Sequence, residues 1–221
     1  MNQDLPKKGE PLVFFDVETL PAEENDPIWA LLTVEEGFDR EELRKRTALN
    51  APLGRAWMIG MAIGADEPTI FEGDGSVEAE KPVLEAFWEA IKDLDDPWWI
   101  GHNIEGYDIP FLQVRSLHHE MPHLARKLGR QSTKPWERRT LDTMKLWPRT
   151  GGDRSSWREG LRGIGKLGTI CAVLGIDRQD GVLGAQVYEA WLAGDREGVR
   201  KHLDLDIRQV RSVFKRLFPI L

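Results

Sequence analysis

Asp16 and Glu18 stand two residues apart in the run Val13-Phe14-Phe15-Asp16-Val17-Glu18-Thr19-Leu20. The bulky apolar residues before them read as a buried strand. On an extended backbone, residues i and i+2 point to the same face. Both carboxylates would then project together from a core strand, which is costly without a cation between them. Hard oxygen ligands of this kind suit Mg²⁺ or Mn²⁺. The competing reading ends the strand at Phe15 and leaves a solvated acidic turn. Two further carboxylates bear on the choice. Asp108 follows the strand-like Trp98-Trp99-Ile100-Gly101 and opens a helix, so it is either a site residue at a strand end or a helix cap. Asp206 lies in the last helix, whose apolar stripe is Val199, Leu203, Ile207, Val210, Phe214 and Leu217. At roughly 100° per residue, Asp206 and His202 fall on one shoulder of that stripe, whereas Asp204 falls towards solvent. The pair can face the sheet together, or it can be an (i, i+4) surface pair.

The elements that must position these groups follow from periodicity. Strand one covers about 11–18. Residues 21–50 are an insertion that is acidic, then basic, in which Asp39 caps a short helix. This insertion is either a lid over the site or a surface excursion. Residues 55–65 and 68–72 predict two strands joined by a short turn, hence an antiparallel meander. An amphipathic helix covers 77–94, with Ser76 as its cap and Asp95-Asp96-Pro97 as its stop. A strand over 98–101 follows, then a helix from Tyr107 onward, with Pro110 in its first turn. A short strand falls at 140–144 and a loop at 149–160. Helices are predicted over 166–174, 187–193 and 196–217, the last capped by Asp195. A meander followed by alternating strands and helices makes an α/β domain with a mixed sheet flanked by helices.

The 221 residues fit one domain, 1–221, with 1–10 frayed. Net charge is −7 and pI ≈ 5.4, which argues against sequence-independent coating of duplexes. The single Cys171 excludes an internal disulfide and a cysteine zinc cluster, and it reads as a core residue. His118, His119 and His123 lack the partners of a zinc site. The start of the chain lacks the apolar stretch of a signal peptide, and no apolar run approaches transmembrane length, so a cytoplasmic location without membrane contact is expected. Nine tryptophans are unusually many. Trp98 and Trp99 read as core residues, with base stacking as the alternative for an aromatic beside the site.

The motifs carry a resemblance. Phe15-Asp16-Val17-Glu18-Thr19 resembles the first motif of the DEDD 3′–5′ exonucleases. Gly101-His102-Asn103-Ile104-Glu105-Gly106-Tyr107-Asp108 resembles the second, and His202 to Asp206 stands where the third belongs. The order and the intervening GKLGTICAVLGI are similar to the proofreading domains of family B DNA polymerases and to the stand-alone exonucleases related to them. The resemblance covers roughly 11–217 and implies a ribonuclease H-like fold with a mixed sheet of five to six strands. One feature departs from the pattern. The polymerase-like branch carries Tyr, three residues, then Asp; the other carries His, four residues, then Asp. This chain carries His202 with the three-residue spacing.

The resemblance implies a metal-dependent 3′–5′ exonuclease acting on single-stranded DNA or RNA and releasing nucleoside 5′-monophosphates. Asp16, Glu18, Asp108 and Asp206 would hold two divalent ions, Mg²⁺ or Mn²⁺. His202 would act as general base or orient the attacking water. The backbone around Thr19 and the side chain of Leu20 would meet the terminal nucleotide, and Asn103 and Tyr107 would contact the substrate near its 3′ end. Related domains also carry an aspartate at Asp142, for which a capping role is the expectation. Arg138, Arg139 and Arg154 read as surface residues, with phosphate contact as the alternative. Two other readings compete: a catalytically weak or inactive nucleic-acid-binding module on the same fold, and a small-molecule phosphodiesterase.

Overall fold

β1, Leu12–Leu20, is the centre of a five-stranded sheet of order β3-β2-β1-β4-β5. The computed structural model describes residues 5–33, 35–129, 139–147, 163, 165–177 and 184–220. β1 pairs antiparallel with β2, Arg55–Ile63, which pairs antiparallel with β3, Thr69–Glu72. On its other side β1 runs parallel to β4, Trp98–Gly101, which runs parallel to β5, Thr140–Asp142. The meander and the later strand–helix alternation are therefore as the periodicity predicts, and the sheet has five strands.

Alternation along β1 sends its residues into two cores. Val13, Phe15 and Val17 pack against α3, Val77–Ile91, α4, Asp108–His118, and α5, Pro122–Leu128. Phe14 and Leu20 pack on the opposite face, against α7, Leu167–Leu174, α8, Val187–Leu192, and α9, Arg196–Leu217. The insertion contributes α1, Pro27–Leu31, and α2, Arg40–Arg46, with α2 capped by Asp39 as anticipated. α6, Thr143–Leu146, follows β5. α3 closes at Ile91, shorter than the 77–94 expected. The helix α5 breaks a stretch that carried no clear periodicity. The predicted loop at 149–160, with Arg138 and Arg154, lies outside the described residues.

The sheet is open where chemistry could occur. β4 is paired with β1 only from Leu12↔Trp98 to Phe14↔Ile100. Beyond that register β1 continues alone on this side, which leaves a crevice at the carboxyl ends of two parallel strands. Such a crevice, beside a strand whose neighbours run in opposite senses, is where open α/β sheets bind ligands. Close helix docking depends on Gly60, which pairs with Asp16 across β1 and β2. A Cβ there would lie 2.5 Å from Ile207 Cδ1 and 2.8 Å from Leu203 Cγ, so only glycine lets α9 settle this near Asp16.

Candidate active site

β1 continues past the end of β4, so the backbone N–H of Val17 needs another acceptor. Asp108 supplies it: Val17 N donates to Asp108 Oδ1 at 3.1 Å. The first residue of α4 is thereby fastened to the motif strand beside Asp16. Gly101, at the end of β4, permits the turn that delivers it, since a Cβ there would meet Ile104 and the Phe15 carbonyl. Asn103 then adopts a left-handed conformation, φ 65°, which asparagine tolerates better than most side chains. Its N–H donates to Asp142 Oδ1 at 2.8 Å, and the Glu105 N–H reaches Asp142 Oδ2 at 3.3 Å. Asp142 also accepts from Met144 N at the start of α6. It is a cap and a clamp on the second motif, in line with the capping role expected.

α9 completes the group. Its buried stripe lies on the sheet, which turns the His202 and Asp206 shoulder towards β1. His202 Nε2 lies 3.5 Å from Glu18 Oε1 and 3.6 Å from Asp206 Oδ2. Asp204 faces away and pairs with Arg208, which also reaches Glu67. The shoulder geometry read from the helical period therefore separates the two aspartates as they are.

Glu18 and Asp108 are 7% and 2% exposed, and Asp16 opens partly to the cleft. Burial pushes the Asp16 carboxyl up to about 7, with repulsion from Asp206 adding to it; His202 and a hydrogen bond from Asp108 pull the other way. Burial, then repulsion from Asp16 and Asp206, holds Glu18 well above the usual carboxylate range. Asp108 is raised in the same way, by burial and by Asp16. Among the described residues no lysine or arginine forms an ion pair with any of the three. Nor, among those residues, do three donors converge tightly enough to define a cation cage by geometry alone. The donor chemistry fits a hard divalent cation: clustered carboxylate oxygens that no lysine or arginine among the described residues neutralises.

The cleft around them has a volume of about 840 Å³. Thr19, Asn103 and Tyr107 line it. Thr19 Oγ1 and the Tyr107 hydroxyl are 2.7 Å apart, and both donate to the Ala48 carbonyl, at 2.8 and 3.1 Å. Burial raises the Tyr107 phenol, so it stays protonated. These bonds also dock the insertion onto the end of β1, so its last part, from Glu42 to Leu49, forms a wall of the cleft. Leu20 departs from the expectation. Its side chain is fully buried in the core under α8 and α9 and does not line the cleft. Alternation points it to the Glu18 face, but at the strand end that face is covered by helices.

Sequence reasoning passed over several cleft residues. Lys45 and Arg46 end α2, Lys166 precedes α7, and Gln209 lies one turn beyond Asp206. The signal for Lys45 and Arg46 was their place at the basic end of the insertion, which reads equally as solvated surface. His102 also lines the cleft; its Nδ1 is 3.0 Å from Thr143 Oγ1, and burial drives it down to about 4, so it is neutral near pH 7. The other groups weighed are structural. Arg139 pairs with Asp96 and Glu10 and covers Trp98. Trp98, Trp99 and Cys171 are buried. His119 binds Glu80, and His123 packs on Trp88.

A central five-stranded mixed sheet with helices on both faces, and a crevice at the strand ends, is a ribonuclease H-like architecture. The fold is shared with a solved family B DNA polymerase from the hyperthermophilic archaeon Pyrobaculum calidifontis, with a TM-score of 0.64 and 18% identity over 99% of this chain. This chain spans 26% of that polymerase chain. No curated protein matches the sequence. The family of predicted 3′–5′ exonucleases related to the exonuclease domain of PolB matches residues 61–219, and the chain belongs to that family. The matched range includes Asp108, His202 and Asp206 and begins after Asp16 and Glu18. Among the described residues no helix is long and apolar enough to cross a membrane.

Proposed function

We propose that the protein is a metal-dependent 3′–5′ exonuclease that removes nucleoside 5′-monophosphates from the 3′ end of single-stranded nucleic acid. The observation that carries this reading is the cluster of buried Glu18 and Asp108 with half-buried Asp16, raised together, at a strand-end crevice that α9 closes with His202 and Asp206. Family membership favours this reading over a small-molecule phosphodiesterase.

Asp16, Glu18, Asp108 and Asp206 would hold divalent ions, Mg²⁺ or Mn²⁺. When bound, such ions lower the pKa of water and stabilise the charge on the leaving 3′ oxygen. The rest falls to the chain's own side chains. His202, between Glu18 and Asp206, is placed to orient the attacking water or to take its proton at Nε2. The Thr19–Tyr107–Ala48 oxygen cluster makes a rigid wall against which the terminal nucleotide rests. Asn103 presents an amide to the cleft. Lys45, Arg46 and Lys166 supply positive charge to phosphates, which a protein of net charge −7 needs locally.

The test is digestion of an end-labelled single-stranded oligonucleotide with Mg²⁺ or Mn²⁺, comparing the wild type with Asp16→Ala and Asp206→Ala. Stepwise shortening from the 3′ end, lost in both variants, is the expected result. Undiminished digestion by either variant sinks the assignment.

A further inference from the structure

A second pocket, of about 580 Å³, opens beside the cleft, and Tyr188 lines both. Its size falls within the range of small-ligand sites, roughly 300–1,000 Å³. Its floor is aromatic. Tyr188 and Trp191 project from α8 three residues apart, on one helix face. Their rings stack 20° from parallel with centroids 5.8 Å apart. Two arginines back them, with Arg44 over Tyr188 at 5.7 Å and Arg55 over Trp191 at 5.8 Å.

The chemistry of the lining discriminates between ligands. Guanidinium groups usually advertise a phosphate site, but both of these are spent. Arg44 donates from Nε and Nη2 to Glu41 at 2.8 and 2.7 Å, from Nη1 to the Ala22 carbonyl and from Nη2 to the Tyr188 hydroxyl. Arg55 donates to the Gly75 and Pro21 carbonyls and lies 3.7 Å from Glu23. Glu23 and Glu24 also line the pocket, and their negative charge disfavours an anion there. What remains is flat aromatic surface and the exposed amide of Asn25, which can both donate and accept. That combination suits a neutral heteroaromatic ring with hydrogen-bonding edges.

We infer that this pocket receives one nucleobase of the substrate strand, a few nucleotides 5′ to the scissile phosphodiester, by stacking on the Tyr188–Trp191 face. The inference rests on the exonuclease reading and extends it. The cleft takes the 3′ end and its phosphates, the neighbouring pocket takes a base, and Tyr188 forms their common wall. Arg44 makes the arrangement rigid, because it ties the insertion to α8 through the Tyr188 hydroxyl.

The experiment is an abasic scan. Single-stranded oligonucleotides each carry one abasic residue, placed one to six nucleotides from the 3′ end, and kcat/KM for removal of the terminal nucleotide is measured. Stacking on one aromatic side chain predicts a loss of about tenfold at one upstream position, expressed in KM, against about twofold or less at its neighbours. Trp191→Ala should flatten the scan, and Trp191→Phe, which keeps a stacking face, should restore the dip. A flat wild-type scan overturns the inference, as does a dip that survives in Trp191→Ala. Fluorescence anisotropy of the same oligonucleotides in EDTA gives a second readout that needs no hydrolysis. Weaker binding of one abasic position by the wild type, but not by Trp191→Ala, supports the pocket even if nuclease activity is absent. Equal binding of all the oligonucleotides overturns it.

Discussion

Glu80 lies in α3 with its side chain fully buried, and its carboxylate meets β2 at Ala56, the residue paired with Thr19. Glu18 and Asp108 are buried close by, around the end of β1, with half-buried Asp16 beside them. Burial pushes Glu80 up, but hydrogen bonds from His119, Arg115 and the Ala56 N–H outweigh it and leave the carboxyl below its ordinary value. Arg115 binds it in two places, Nε to Oε1 at 2.9 Å and Nη2 to Oε2 at 2.6 Å. The β1 cluster suffers the same burial, and its neighbours are mostly other carboxylates, so its members rise. A structural carboxylate brings its cation within the chain. In the proposed site, the raised β1 cluster would take its cation from solution, and its electrostatic strain would serve function.

The sharpest way to break this contrast is Asp108→Asn. The amide oxygen can still accept from Val17 N, so the fold persists. Exonuclease kcat should fall by on the order of 10³-fold, about 4 kcal/mol of barrier. Thermal unfolding of the metal-free variant near pH 8 should occur roughly 2–4 °C higher than in the wild type, because a carboxyl whose ionised form burial disfavours has gone. A variant that is both active and less stable would refute the distinction between the two sites.

Glu80→Gln should act with the opposite sign. It leaves Arg115 buried without its carboxylate, and denaturant unfolding should show a loss of about 3–5 kcal/mol. Activity per folded molecule should change little at low temperature, which separates a supporting ion pair from a catalytic one.

The two sites also differ in pH dependence. Glu80 has a lowered folded pKa, so its contribution is full above the unfolded value and is lost as pH falls through the folded one. Asp16, raised to about 7, does the reverse. Its contribution is lost as pH climbs from about 4, the unfolded value, to about 7, and the loss levels off above that. Metal-free protein should therefore lose stability between about pH 4 and 7 in urea titrations. Mn²⁺ at about one hundred times its Kd should recover about 2.7 kcal/mol. Equal stability with and without Mn²⁺ at pH 8 would count against a cation site at β1.

Smaller effects test the rim. His202→Ala should lower kcat by about 10²-fold, in the range of a lost general base, with KM little changed. Lys166→Ala should weaken oligonucleotide binding by a fewfold and reduce its salt dependence by about 0.7 unit of slope, the signature of a single phosphate contact on a single strand. If Lys166→Ala leaves the salt slope intact, the basic rim is ordinary surface.

Much of the site was legible because it depends on local periodicity. Asp16 and Glu18 share a strand face by the period of two, and Asp206 and Asp204 are divided by the period of 3.6. Asp142 and Asp195 sit where carboxylates cap helices, and they do so. Leu20 shows where that logic stops: alternation places it on the Glu18 face, but the packing of α8 against the strand end buries it. Lys166 and the Tyr188–Trp191 pair were illegible for a related reason. A lysine before a helix and aromatics three residues apart look the same in sequence whether they meet solvent, core or a cleft.

By itself, then, the sequence determined the five strands, most of the longer helices, the candidate carboxylates and their faces, because those follow from backbone geometry between near neighbours. Only the tertiary structure decided that Asp108 would accept from Val17 where β4 ends, that the insertion would lock onto Thr19 and Tyr107 through Ala48, and that Gly60 would admit α9 close to Asp16. Each of these joins residues far apart in the chain, and each depends on which surfaces remain uncovered once the sheet has assembled. Burial of the carboxylates, and with it their raised pKa values, is a property of that assembly and of no single motif.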